Sequence, residues 1–160
     1  MPSLAVLARR AGSRLKERGL KLATAESCTG GWIAQAVTSV AGSSEWFERG
    51  FVTYSNDAKR EMLGVRAATL ARHGAVSEET AREMASGALK RSRAQVAVAV
   101  TGVAGPGGGT RKKPVGMVCF AWSLARRSPE SIVRRFRGGR ESVRRQSVAV
   151  ALRGVLDRLR

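Results

Sequence analysis

The sequence predicts a three-layer α/β/α sandwich built on a mixed, mostly parallel sheet, and three observations point to this fold class. Strand-like and helix-like segments alternate along most of the chain. The run QVAVAVTG, residues 95–102, is continuously apolar and β-branched, as expected of a central strand that is covered on both faces. Near the end, MVCFAWSL and SIVRRF predict two consecutive strands joined by a turn near Ser128 and Pro129. At 160 residues with 43% hydrophobic content, we expect one domain over residues 1–160.

The first elements place two reactive side chains in a turn. Apolar residues at helical spacing predict a helix over residues 3–18, which Gly19 ends, and a short strand follows at about 21–25. Thr29 has the residue type and position of an N-cap for a helix that runs to Val40. Ser27 and Cys28 are therefore expected in a strand-to-helix turn.

The middle and end of the chain continue this alternation. The segment GFVTYS predicts a strand that ends at Tyr54, and Ser55 or Asn56 then caps a helix that contains Lys59 and stops at Gly64. The remaining predicted helices share apolar residues at helical spacing, and they cover about 66–72, 77–92 and 141–158. Ser77 opens the second of these three helices.

The composition excludes several classes of protein. The formal charge is +17, and from Arg111 onward there are 14 basic and 3 acidic residues. Few aromatic residues accompany these charges, whereas proteins that bind single strands need stacking platforms, so nucleic acid is not expected as a partner. No apolar run reaches the length of a membrane span, and the first residues do not fit a signal peptide. With two cysteines and one histidine, neither a disulfide framework, a metal site nor a cofactor is predicted, and we expect a cytoplasmic protein.

Three predicted strand ends carry reactive or ligand-binding groups. They are ESCTGG after the first strand, YSNDAK after the second and TGVAGPGGGT after the third. In open α/β sheets, ligands bind beyond the carboxyl ends of the strands. This convergence is the main functional signal in the sequence.

A serine nucleophile at the first strand end needs a base. The single histidine, His73, lies beside Gly74 in a predicted inter-helix turn, so a Ser-His arrangement is not favoured. Lys59 is the alternative, because burial and the start of a helix both lower the pKa of an amine. Lys59 as a solvated surface residue and Tyr54 as an ordinary strand residue are the competing interpretations, while a catalytic Tyr54 would relay protons between Ser27 and Lys59.

The glycine-rich loop matches no nucleotide-binding motif. Gly102 and Gly107 begin like a phosphate loop, but Gly108 stands where lysine is required. The loop offers flexible backbone amides near Thr101 and Thr110, which suit a small anion, and a purely structural loop is an equal alternative.

The segments LATAESCTGGWIA, GFVTYSNDAKREMLGV, GAVSEETA, VAVTGVAGPGGGTRKKPVG and GGRESVRRQSV resemble, in order and spacing, the CinA C-terminal domain family. Its members include stand-alone nicotinamide-nucleotide amidohydrolases, and its larger members have an additional N-terminal domain. The resemblance implies hydrolysis of the carboxamide of nicotinamide mononucleotide to nicotinic acid mononucleotide and ammonia, in pyridine nucleotide salvage. It implies Ser27 as nucleophile, assisted by Lys59 and Tyr54, with Thr101 and Arg140 in the nucleotide pocket. No cofactor is implied.

The remaining expectations concern substrate contacts, partners and rival functions. The predicted substrate-binding residues share a place in the turn after the first strand, in the glycine-rich loop or before the last helix: Thr29, Gly30, Gly31, Thr101, Gly102, Gly105, Gly107, Gly108, Thr110 and Arg140. Many family members have an aspartate where this chain has Gly139, so the acidic residue that precedes the arginine in those members is missing before Arg140. A homodimer or higher homo-oligomer is expected. The rival functions are an arginine-rich nucleic-acid-binding module and a regulatory domain that binds a nucleotide without turnover.

Overall fold

Strands and helices alternate through residues 2–160, the part of the chain that the computed structural model describes. The strands, in chain order, are β1 Leu22–Glu26, β2 Phe47–Val52, β3 Val96–Gly102, β4 Met117–Leu124 and β5 Glu130–Arg135. The helices are α1 Leu4–Glu17, α2 Trp32–Thr38, α3 Asn56–Leu63, α4 Ala67–His73, α5 Glu78–Lys90 and α6 Arg140–Arg158, with a short 3₁₀ helix at Ser43–Glu45. The predicted alternation of elements is confirmed.

The five strands form one sheet in the order β2-β1-β3-β4-β5. β1 pairs in parallel with both β2 and β3, whereas β4 is antiparallel to both β3 and β5. Four strands therefore run in one direction and β4 runs against them. The prediction of a mixed, mostly parallel sheet with residues 95–102 at its centre is confirmed.

Side chains that alternate along β3 build the two faces of the core. Val96, Val98 and Val100 pack on the face covered by α1, α2 and α6, while Ala97 and Ala99 face α5. The small residues on the second face allow α5 to approach the sheet and α3 closely. A Cβ added to Gly87 of α5 would lie 1.9 Å from the Leu63 carbonyl oxygen of α3. The predicted three-layer arrangement is therefore confirmed.

Two local predictions differ from the structure. α2 begins at Trp32, three residues beyond Thr29, and its N-cap is Gly31, whose φ of 101° lies in the left-handed region. The prediction that Thr29 caps this helix was wrong, because the Thr29 hydroxyl donates to Glu26 instead. β2 also begins and ends earlier than GFVTYS suggested, so Tyr54 lies after the strand.

The helix starts that depend on serine agree with the predictions. Ser55 accepts a hydrogen bond from the backbone N–H of Ala58 at the start of α3, and Ser77 accepts one from Thr80 at the start of α5. Both contacts satisfy a backbone donor that the first helical turn leaves unpaired. No helix within residues 2–160 has the length and apolar character needed to cross a bilayer.

Candidate active site

The carboxyl ends of β1, β2 and β3 meet at one edge of the sheet, because these strands are mutually parallel. A pocket of about 250 Å³ opens there. Its lining combines the three predicted strand ends with the loop before α5 and the start of α6: Ser27, Cys28, Tyr54, Lys59, Ala75, Val76, Thr101, Gly102, Ala104 and Arg140. A larger groove of about 760 Å³ between α1 and α6 is lined mainly by arginines, with no lysine near a hydroxyl.

Ser27 and Lys59 form a direct pair inside this pocket. Lys59 Nζ lies 2.9 Å from Ser27 Oγ, and it also donates to the carbonyl oxygens of Thr53 at 2.8 Å and Tyr54 at 3.2 Å. Lys59 reaches the pocket because α3 starts directly after the end of β2. The three acceptors match the three protons of a lysine ammonium group. In the neutral amine, two protons remain for the carbonyl oxygens and the lone pair faces the serine hydroxyl.

Burial makes the neutral form of this lysine accessible. The Lys59 residue is only 1% exposed, and its acceptors are uncharged. Removal of the amine from water lowers the pKa of Lys59 to about 8, from an ordinary value of 10.5. A free amine within hydrogen-bonding distance of a serine hydroxyl is the arrangement that general-base activation requires.

Cys28, the neighbouring nucleophile type, is in a different state. It is buried within the hydrophobic cluster that α1, α2 and α6 share, although it also lines the pocket. Burial raises the pKa of the Cys28 thiol to about 12. The thiol is therefore neutral at physiological pH and behaves as a small packing residue.

Tyr54 and Arg140 lie together at the mouth of the pocket. The Tyr54 side chain is largely exposed, and Arg140 Nη2 approaches its hydroxyl at 3.4 Å. Arg140 Nη1 donates to the carbonyl oxygen of Gly105 at 2.8 Å, so α6 and the glycine-rich loop are joined here. Within residues 2–160 no hydrogen bond links the Tyr54 hydroxyl to Ser27 or Lys59. The geometry therefore favours direct proton transfer over a relay through Tyr54.

The glycine-rich loop is divided between the pocket and the surface. Thr101 is buried in the pocket wall, where its hydroxyl donates to the Ala75 carbonyl oxygen at 2.9 Å, and Gly102 lies beside it. Gly107 and Gly108 are exposed and lie outside the lining residues. Thr110 is also exposed, and it pairs with Lys113 in a local turn.

The turn that carries Ser27 is held by two residues for which sequence reasoning predicted no role. The Glu26 carboxylate, fully buried, accepts from the Thr29 hydroxyl at 2.6 Å and from the backbone N–H groups of Ile33 and Ala34 at 2.8 and 3.1 Å. From α6, Arg144 donates to the carbonyl oxygens of Cys28 and Thr29 at 3.0 and 3.2 Å. A charged residue inside the otherwise apolar run LATAE was the available signal for Glu26. No comparable sequence signal marks Arg144.

The other predicted residues of the turn are not among the residues that line the pocket. Gly30 and Gly31 have φ values of 58° and 101°, which favour glycine and let the chain reverse before α2. The N–H of Gly30 donates to the Ser27 carbonyl oxygen at 3.0 Å. Neither glycine lines the pocket, and Thr29 does not line it either.

Within residues 2–160 the structure assembles neither a Ser-His pair nor a metal site. His73 is the last residue of α4, and its Nδ1 lies 3.6 Å from Glu79 Oε2. Across residues 2–160, no three His, Cys, Asp or Glu side chains are grouped so that they could hold a metal ion. The candidate catalytic pair that the pocket brings into contact is therefore Ser27 with Lys59.

Known proteins resemble this chain over nearly its full length. The family model described as the CinA C-terminal domain matches residues 4–159. A relative from Escherichia coli strain K12, named nicotinamide-nucleotide amidohydrolase PncC, is 59% identical over 148 residues, which cover 91% of this chain and 88% of the relative. A protein of the same name from Pseudomonas putida is 51% identical over 157 residues, which cover 98% of each chain.

Solved structures share the fold. The competence/damage inducible protein CihA from Agrobacterium tumefaciens superposes with a TM-score of 0.95 at 50% identity, over 98% of this chain and 96% of that one. A CinA superfamily protein from Klebsiella pneumoniae gives a TM-score of 0.95 at 42% identity, over 99% and 98% of the two chains. The sequence match, the shared fold and the resemblance of the pocket motifs agree, and this chain belongs to the CinA C-terminal domain family.

Proposed function

We propose that this protein hydrolyses the carboxamide of nicotinamide mononucleotide to nicotinic acid mononucleotide and ammonia, with Ser27 as nucleophile and Lys59 as general base. The observation that carries the proposal is the 2.9 Å contact between Lys59 Nζ and Ser27 Oγ, in a pocket that lowers the pKa of the lysine to about 8. The names of the relatives supply the substrate, since they are nicotinamide-nucleotide amidohydrolases.

In the first half of the reaction, neutral Lys59 takes the proton of Ser27 while Oγ forms a bond to the carboxamide carbon. The carbonyl π electrons move to the oxygen and give a tetrahedral oxyanion. When this intermediate collapses, the C–N bond breaks and the lysine ammonium returns its proton to the departing ammonia. An acyl-enzyme on Ser27 remains.

In the second half, water attacks the acyl carbon and Lys59 accepts a proton from it. The carboxylate product and the Ser27 hydroxyl are then released, with the lysine proton returned to Oγ. The carbonyl oxygens of Thr53 and Tyr54 hold the amine in place throughout, because both accept from Nζ. Lys59 Nζ gives or receives the proton in each of these transfers, and the carboxylic acid product loses its own proton to water.

The oxyanion needs hydrogen-bond donors that nothing else uses. Gly30 is excluded, because its N–H donates to the Ser27 carbonyl oxygen. In this turn, the N–H groups of Cys28, Thr29 and Gly31 donate to no other residue within the described range 2–160. We assign the oxyanion to the N–H of Thr29, because Arg144 donates to the carbonyl oxygen of the same peptide, with the N–H of the pocket residue Cys28 as the second available donor.

The volume of the pocket suits only part of the substrate. Its volume of about 250 Å³ lies below the roughly 300–1,000 Å³ that drug-sized ligands occupy. The pyridine carboxamide is therefore placed inside, and the ribose phosphate extends to the mouth, where Arg140 and Tyr54 meet. A guanidinium binds phosphate through paired hydrogen bonds, so Arg140 is the proposed phosphate ligand. The positive charge of the pyridinium makes the carbonyl carbon more electrophilic.

The test is ammonia release from nicotinamide mononucleotide, measured for the wild type, Ser27→Ala and Cys28→Ala. We expect Ser27→Ala to release no ammonia while it still binds the nucleotide, and Cys28→Ala to retain most activity. Enzyme quenched during turnover should carry the acyl adduct on the peptide that contains Ser27. Binding without ammonia release by the wild type would favour a regulatory domain, and an adduct that persists in Ser27→Ala would move the nucleophile to Cys28.

A further inference from the structure

We infer that Arg144 is a positioning residue for this reaction: from α6, its guanidinium fixes and polarises the Cys28–Thr29 peptide, whose N–H faces the developing oxyanion. The inference rests on the proposed function. Arg144 contacts neither the nucleophile nor the base, and it acts through the backbone of the turn that carries Ser27.

The contacts of Arg144 form a fork on two consecutive peptides. Nε donates to the Cys28 carbonyl oxygen at 3.0 Å, and Nη2 donates to the Thr29 carbonyl oxygen at 3.2 Å. The guanidinium carbon also lies 5.4 Å from the ring centroid of Trp32, in cation–π contact. Arg144 is half-buried, so water screens these contacts incompletely.

A cation on a peptide oxygen strengthens the donor at the other end of the same peptide. The amide is conjugated, so a charged hydrogen bond to the oxygen withdraws electron density from the nitrogen and makes the N–H a better donor. The Cys28 carbonyl shares its peptide with the N–H of Thr29. The N–H of the next peptide, on Gly30, is already used by Ser27. The polarised and available donor is therefore that of Thr29.

Glu26 holds the same residue from the opposite side. Its carboxylate accepts from the Thr29 hydroxyl, while Arg144 donates to the Thr29 carbonyl oxygen. Thr29 is thereby fixed between the Glu26 carboxyl group and the Arg144 guanidinium, and it is itself fully buried. Arg144 and Glu26 also affect the pKa of Cys28, the residue beside the nucleophile. Burial is the main cause of the raised pKa of this thiol, while Arg144 lowers it and Glu26 raises it.

This role predicts a defect in turnover rather than in substrate binding. The oxyanion exists in the transition state and not in the bound amide, so loss of its donor lowers kcat and leaves KM nearly unchanged. Removal of a complete oxyanion donor lowers kcat by roughly 100- to 1,000-fold. Arg144→Ala leaves the donor present but less polarised and less fixed, so we expect a loss of about 10- to 100-fold.

Arg145 supplies a matched control. It is the next residue of α6, its guanidinium lies 5.8 Å from the same Trp32 ring, and it pairs with Glu141. It makes no hydrogen bond to the turn at residues 27–31 within the described range. Arg145→Ala removes the same charge from the same helix and should keep wild-type kcat.

The experiment measures kcat and KM for ammonia release from nicotinamide mononucleotide with the wild type, Arg144→Ala, Arg144→Lys, Arg144→Gln and Arg145→Ala. We expect the largest loss of kcat in Arg144→Ala, smaller losses in Arg144→Gln and Arg144→Lys, no loss in Arg145→Ala, and equal nucleotide affinity when each variant is combined with Ser27→Ala. Arg144→Gln keeps an N–H donor at about the position of Nε but removes the charge, so it tests the role if Arg144→Ala does not fold. Equal kcat in Arg144→Ala and the wild type, or equal losses in Arg144→Ala and Arg145→Ala, would overturn the inference.

A second readout separates this inference from the choice of substrate. A fluorophosphonate reacts with an activated serine: Oγ bonds to phosphorus, the P–F bond breaks, Lys59 takes the proton, and the P=O oxygen occupies the oxyanion position. The labelling rate of Ser27 should fall about 10-fold or more in Arg144→Ala and stay unchanged in Arg145→Ala. Labelling of the wild type without ammonia release would count against the proposed substrate alone, whereas equal labelling rates in all variants would count against the role of Arg144.

Discussion

Replacement of Lys59 by methionine should change how the stability of the protein depends on pH. Burial lowers the pKa of Lys59 to about 8 in the folded state, and unfolding restores the ordinary value of 10.5. Between these two values the unfolded chain binds more protons than the folded one, so the free energy of unfolding of the wild type rises with pH. Methionine has a similar length and does not titrate, and Lys59→Met therefore lacks this rise.

The size of the effect follows from the two pKa values. A difference of one pKa unit corresponds to about 1.4 kcal/mol, so the change from 10.5 to about 8 amounts to roughly 3 kcal/mol. At pH 7 the lysine is protonated in both states and the whole penalty for its burial is present. Above pH 10.5 the penalty is absent. Against a typical stability of about 5–15 kcal/mol, a change of this size is readily measured.

Urea unfolding followed by tryptophan fluorescence, at intervals from pH 7 to pH 11, provides the assay, since the chain has three tryptophans. The free energy of unfolding of the wild type minus that of Lys59→Met should rise by about 3 kcal/mol across this range. The exposed loop residue Lys112 gives the control, and Lys112→Met should follow the wild type in parallel. Parallel curves for the wild type and Lys59→Met would refute the claim that burial favours the neutral amine.

Four further predictions concern activity. The kcat/KM profile for ammonia release should have an acid limb near pH 8, where Lys59 loses its proton, with a tenfold fall per pH unit well below it; a flat profile would exclude this base. Cys28→Ala should stay within a few-fold of wild-type activity, and iodoacetamide should inactivate slowly, because the thiol pKa is raised to about 12; rapid, complete inactivation would contradict this. Arg140→Ala should impair turnover of nicotinamide mononucleotide more than that of nicotinamide riboside, which lacks the phosphate, and equal losses would indicate a structural role. Activity should survive exhaustive EDTA treatment, and restoration of a lost activity by a divalent ion would contradict the proposed mechanism.

The position of the candidate site was predictable because a chain in which strands alternate with helices has few possible sheet topologies. Strands that alternate with helices pair in parallel, and parallel strands end at the same edge. Ser27 follows β1, Lys59 lies in the first turn of α3 after β2, and Thr101 is the second-last residue of β3, so the order of the elements implied that they meet. The contact between Ser27 and Lys59 depends on side-chain direction, which strand order alone does not give.

The structure of the turn after β1 was harder to predict, because its interactions join distant parts of the sequence. Threonine is one of the residue types preferred at the N-cap, and the position of Thr29 before an apolar helical segment favours that role. The buried carboxylate of Glu26 competes for the Thr29 hydroxyl and accepts from α2 itself, so the helix starts later. Arg144 lies 116 positions from Cys28, and no periodicity in α6 distinguishes it from Arg145. The expected homo-oligomer likewise stays a prediction.

The proposed choice of Ser27 over Cys28 follows from burial, which lowers the pKa of Lys59 and raises the pKa of Cys28. Burial disfavours whichever form of a group is charged, so the same desolvation frees the amine of Lys59 and suppresses the thiolate of Cys28. At pH 8 about half of the lysine is neutral, whereas the thiolate fraction of a thiol with a pKa of about 12 is on the order of 10⁻⁴. The lysine also contacts the serine oxygen directly. The proposed mechanism therefore uses Ser27 and not the intrinsically stronger nucleophile beside it, because the burial that favours the neutral amine of Lys59 also keeps the Cys28 thiol protonated.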